Sequence, residues 1–74
     1  MGAIILTNQI YDIKSGTSKK YTALEETTEI NVCIIFHEGG PPVYRWVDKI
    51  FYVEGPGDIE IQINDVTAIR YTEP

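Results

Sequence analysis

A small all-β domain is what this sequence predicts, and three observations predict it. Through the second half of the chain, β-branched and aromatic residues alternate with polar ones, as in Ile59-Glu60-Ile61-Gln62-Ile63. The alternating runs are separated by Glu38-Gly39-Gly40-Pro41-Pro42 and Gly55-Pro56-Gly57-Asp58, both turn-forming clusters. No amphipathic stretch reaches the length of a useful helix. At 74 residues the chain holds one core and no second domain of ordinary size, so residues 1–74 are read as a single β-rich domain. The expected architecture is a small antiparallel meander of about six to seven short strands, closed as a barrel, rolled, or layered as a sandwich, with room for one short helical turn.

Taken in order, Ala3–Thr7 and Ile10–Lys14 read as short strands around Asn8-Gln9, and Ser15-Gly16-Thr17-Ser18 as a polar turn. Lys20–Thr27 is open between strand and one helical turn. Its threonines lower helix propensity, which favours strand. Glu29–His37 is the first long strand, and Val43–Glu54 returns antiparallel after the Gly-Pro turn. Gly55-Pro56-Gly57-Asp58 sets Pro and Gly where a type II turn wants them. Ile59–Ile63 follows, and Asn64-Asp65 suits a tight primed turn into Val66–Thr72. If the first turn spans Glu38–Pro42, His37 faces Val43, and Phe36/Tyr44, Ile34/Trp46, Val32/Asp48 and Ile30/Ile50 become cross-strand pairs. Continuing the same face pairs Tyr52 with Ile61 and Ile50 with Ile63, giving one apolar core face that includes Trp46.

Eleven acidic residues against six basic ones give a net charge of −5, which disfavours nucleic acid as a partner. That charge serves solubility and also fits a basic site on another protein. The single cysteine, Cys33, lies in the apolar run Val32-Cys33-Ile34-Ile35 and reads as a small buried hydrophobe. A lone thiol points to a reducing, cytoplasmic setting. No stretch has the form of a secretory leader or the length of a membrane span, so no membrane partner is expected. A domain this small buries only about 60% of its unfolded surface. With no intrachain disulfide and too few ligands for a structural zinc, self-association is the remaining reinforcement, and a homo-oligomer is expected.

Chemistry-bearing residues are sparse. His37 is the only histidine, and on an extended strand it stands about 13 Å from Cys33, beyond the reach of a catalytic dyad. The glycines match no phosphate-binding loop, and Glu25, Glu26 and Glu29 form no recognisable metal spacing. No catalytic residue, metal ligand or cofactor is therefore assigned. In the register above, His37, Arg45 and Lys49 share the face opposite the core with Phe51 and other apolar residues. His37, Arg45, Lys49 and Phe51 are accordingly the candidates for holding an anionic small molecule, such as a nucleotide, at a subunit interface. Gly39, Gly40, Pro41, Pro42 and Tyr44 form a candidate interaction loop. The sequence thus points to a non-enzymatic interaction module, an oligomeric regulator or inhibitor that binds a protein partner. The alternative is a protein that binds an anion or nucleotide between subunits.

Overall fold

A computed structural model of the chain describes residues 3–66, 69–70 and 73. Among these, six strands run in the order β1 (Ile5–Asp12), β2 (Ser18–Ala23), β3 (Thr28–Phe36), β4 (Val43–Val53), β5 (Gly57–Gln62) and β6 (Ile69–Arg70). Single 3-10 turns at Ile13–Ser15 and Ile63–Asp65 follow β1 and β5. The expected all-β class is observed as two sheets, one of four strands ordered β1-β3-β4-β6 and one of two strands, β2-β5.

The central strand β3 reads Thr-Glu-Ile-Asn-Val-Cys-Ile-Ile-Phe, dense in β-branched residues, and it is covered on both faces. Ile30, Val32 and Ile34 are fully buried toward the two-stranded sheet, where they meet Val47 and Val53 of β4, Ala23 of β2, Ile61 of β5 and Ile63. Tyr21 and Ile59, paired across β2 and β5, close the same core, while Glu60, Gln62 and their partners Lys20 and Ser18 face outward. This alternation in β5 is the one the sequence predicts.

Four local expectations are corrected. Asn8-Gln9 does not interrupt the first segment, and β1 is one continuous strand lying parallel to β3, with Ile5 beside Thr28 and Asp12 beside Ile35. Neither residue has a positive φ, and the alternation Leu6, Asn8, Ile10 against Thr7, Gln9, Tyr11 passes through them unbroken. Next, β5 pairs with β2 rather than with β4. Gly55 packs against the backbone of Glu25 and Glu26, so the chain leaves the large sheet at the end of β4 and enters the small one. Gly57 has no positive φ, so the type II turn is not formed. Finally, Asn64-Asp65 lies in a 3-10 turn and β6 returns to pair with β4, Trp46 beside Arg70. The remainder of the strand expected over residues 66–72, at positions 67, 68, 71 and 72, lies outside the described residues.

The ambiguous segment Lys20–Thr27 resolves as strand through Ala23 and then a bend at Leu24–Glu26.

The β3–β4 hairpin is antiparallel as expected, but in a different register. The connection is His37–Pro42, so Phe36 rather than His37 faces Val43, and Ile35/Tyr44, Ile34/Arg45 and Cys33/Trp46 follow. One residue of slip reverses every side chain of β4 between the two faces. Between the pairs Cys33/Trp46 and Asn31/Ile50, β3 advances by two residues and β4 by four. The bulge thus adds an even number, and the same β4 residues keep facing the core beyond it, with Ile30 beside Phe51 and Thr28 beside Val53. Trp46, Tyr44, Ile50 and Tyr52, expected inside, lie on the opposite face, and Val47 and Val53 are buried in their place.

Candidate functional site

The corrected register redistributes the residues singled out by sequence. Arg45 lies on the core side of β4, its guanidinium 5.5 Å from the Phe36 ring centroid and its Nη2 3.0 Å from Glu38 Oε1. Lys49, in the bulge, holds its ammonium 4.8 Å from the centroid of Phe51. Both cations therefore lay their stems over the rim of the core, with aromatic faces beneath. His37 has the parity of Cys33 and Ile35 and stands on the other face, where its Nε2 is 3.0 Å from each carboxylate oxygen of Asp12. His37 is thus not brought together with Arg45, Lys49 and Phe51 within one chain. The loop residues Gly39, Gly40, Pro41 and Pro42, and Tyr44 just after them, are all exposed. Gly39 has φ +83°, a conformation glycine alone adopts without strain.

Asp12 ties this end of the molecule together. Its Oδ1 accepts the Lys14 N–H at 2.9 Å, capping the 3-10 turn that follows β1. That backbone donor first, and His37 second, hold its carboxyl below the usual carboxylate range. Cys33 is buried, and burial pushes its thiol up, so it is held as the neutral form. Among the described residues, no three His, Cys, Asp or Glu side chains converge on a possible metal site. No helix there is long and apolar enough to cross a membrane.

Two other surfaces stand out. One is the face of the large sheet turned away from the core. Cross-strand rows run across it: Leu6, Glu29 and Tyr52; Asn8, Asn31 and Ile50; Ile10, Cys33, Trp46 and Arg70; Asp12, Ile35 and Tyr44. Leu6 is 63% exposed, Ile10 56%, Tyr44 55%, and Ile50 and Tyr52 52% each. Five large apolar side chains half open on one face exceed what scattered surface hydrophobics explain. In its middle Asn31 is buried; its amide donates to Asn8 Oδ1 at 3.3 Å, and its own Oδ1 meets no donor.

The other surface is the outer edge of β1. In the four-stranded order β1 has a neighbour on one side only, β3. The Ile5 N–H points to that neighbour, donating to Thr27 O at 2.9 Å. Backbone groups alternate sides along a strand, so those of Leu6, Asn8 and Ile10 point outward. The strand contains no Pro, Gly or Lys, the residues that ordinarily blunt an edge. Beside its start lies a cleft of about 340 Å³ lined by Ile5, Thr28 and residues 21–26, with Glu25 and Glu26 making its wall acidic. Thr28 Oγ1 donates to Glu26 O at 3.0 Å and fixes that wall to β3.

Sequence reasoning expected an exposed strand edge and a second apolar sheet face, but it did not place the edge at β1 and the slipped register assigned the wrong residues of β4 to the face. The absence of Gly or Pro from Ile4 to Lys14 was the only local signal that the first segment runs on as one strand. The class these features define is a small two-sheet all-β domain. Set against protein-family models, curated proteins and solved structures, the chain finds no match.

Proposed function

We propose that this chain is a non-enzymatic interaction module, a regulator or inhibitor that binds a protein partner by accepting an extended segment of it along the outer edge of β1. The observation that carries this reading is the eight-residue edge strand, open on its outer side among the described residues and free of blunting residues. Main-chain hydrogen bonds to Leu6, Asn8 and Ile10 supply affinity in such strand addition, and alternate side chains supply specificity. The adjoining cleft selects the partner's chemistry. Ile5, Tyr21, Ala23 and Leu24 offer apolar contact, and Glu25 and Glu26 favour a basic residue. The net charge of −5 acts in the same sense by steering basic partners. The exposed Gly39–Pro42 loop, beyond the Asp12 end of β1, extends the contact surface. A cytoplasmic setting accords with a single thiol kept buried and unpaired.

The test is selection of binders from a library of displayed extended peptides. Bound sequences are expected to alternate apolar with basic residues. Asn8→Pro removes an outward N–H without touching the β1–β3 ladder, whereas Asn8→Ala keeps it. Capture should be lost in the first variant and kept in the second. Equal capture by both, or no enrichment at all, would end this reading.

A further inference from the structure

We infer that the open face of the four-stranded sheet is the seat of a second copy of this chain, packed face to face about a twofold axis. This goes beyond the edge-strand reading and does not depend on it.

Area is the first argument. Leu6, Ile10, Tyr44, Ile50 and Tyr52 are each a little more than half exposed. At roughly 100 Å² apiece they present on the order of 500 Å² per copy, hence about 1,000 Å² for a pair, the size at which a specific interface begins. Trp46 and Ile35, partly open between them, add to it.

Charge is the second. The chain is acidic overall, so two copies repel over most of their surface. The ionisable side chains in the two middle rows of this face are the buried Cys33 thiol and, at the far edge, Arg70, which is already 3.5 Å from Asp48. Glu29 lies in the first row and Asp12 with His37 at the last. An axis perpendicular to the strands sets the Glu29 row of each copy over the last row of the other, where the Asp12 carboxylate is already engaged by His37. An axis along the strands would stack Glu29 on Glu29, and like charges set opposite each other are excluded. Lipid is disfavoured as the occupant on the same ground, since anionic headgroups repel an acidic protein.

The third is Asn31. It is 6% exposed, its Oδ1 lacks a donor, and it sits at the centre of the face beside the exposed Asn8. A buried amide left half satisfied costs stability in the single chain. With the first row over the last, the axis passes between the second and third rows, so the two copies' Asn8–Asn31 pairs flank it one row apart, and amides so placed in an apolar interface penalise other alignments.

The experiment is sedimentation velocity on the full chain across a concentration series. The wild type is expected at twice the 8.4 kDa chain mass. Ile50→Glu should weaken association by roughly 100-fold, while Ser18→Glu, on the outward side of β2, leaves it unchanged. Trp46, the single tryptophan, reports on the same face without mutation, and its emission should move to longer wavelength as the wild type is diluted. A wild type that is monomeric throughout overturns the inference. So does a dimer that survives Ile50→Glu, including one that Asn8→Pro dissociates, which would mark edge-to-edge pairing. Peptide capture by β1 is read separately, so loss of the face dimer leaves the partner reading standing.

Discussion

Replacing Gly55 with alanine tests the point where the two sheets are joined. A Cβ at position 55 would lie 2.5 Å from Glu26 O, 2.6 Å from Glu26 C and 2.8 Å from Glu25 C. All three are backbone atoms, so no flexible side chain can yield. Overpacking of this kind costs about 1–3 kcal/mol, and a rigid neighbour places it at the upper end. The struck carbonyl is also the acceptor of the Thr28 hydroxyl, and Thr28 is 2% exposed. Displacing Glu26 leaves that buried hydroxyl without its partner, a further loss of about 1 kcal/mol. The sum, about 3–4 kcal/mol, is a large share of the roughly 4–11 kcal/mol expected for a domain of this length. It corresponds to a fall in Tm of at least roughly 12 °C. Thermal unfolding followed by far-ultraviolet circular dichroism measures it. Gly40→Ala is the control, because nothing lies within 4 Å of its Cβ and its φ is not left-handed; its melting point should be unchanged or slightly raised. If Gly55→Ala melts within a few degrees of wild type, the junction is not packed as described and the acidic wall of the cleft is not fixed by it.

Two further outcomes follow from the titrating groups. Asp12 has its carboxyl depressed, so it contributes stability above its ordinary value near 3.8 that is lost as pH falls through the lower, folded value; Asp12→Asn should flatten the acid limb of a stability-versus-pH curve, and an unchanged limb would refute the His37 and Lys14 contacts. Cys33 is 1% exposed with its thiol pushed up, so native protein at neutral pH should resist a thiol reagent and denatured protein should react fully; rapid labelling of the native chain would show that the open face does not cover it.

The all-β class was legible because its signals are local. Alternation in Ile59–Ile63 and the Gly-Pro punctuation at Gly39–Pro42 and Gly55–Gly57 depend only on neighbouring residues. What failed was pairing between distant segments. Nothing local says that β5 pairs with β2, or that β1 runs parallel to β3 across an intervening strand. The type II turn expected at Pro56-Gly57 was sound turn chemistry overridden by tertiary contact, since Gly55 packs on Glu25 and Glu26. Cys33 was read correctly as a buried hydrophobe because, in the middle strand, a small side chain is flanked by larger ones on both neighbouring strands, here Ile10 and Trp46.

The candidate site shows how much rested on a single residue. Counting the hairpin loop as Glu38–Pro42 rather than His37–Pro42 put Arg45, Lys49 and Phe51 on the same face as His37 and built an anion site from them. Apolar content could not expose the slip, because β4 is apolar on both parities: Tyr44, Trp46, Ile50 and Tyr52 on one, Val43, Val47, Phe51 and Val53 on the other. Charge could have exposed it. Arg45 and Lys49 lie on one parity, Phe36 ends β3 and Glu38 lies in the turn; a register in which Arg45 shares the face of Phe36 and reaches Glu38 satisfies the cation and covers the aromatic in one placement. The same two-sidedness explains the open face. A strand apolar on both parities can bury only one of them in a 74-residue chain with a two-stranded second layer. On the inference drawn above, a second copy covers that other side, whose two middle rows carry no carboxylate on an otherwise acidic molecule.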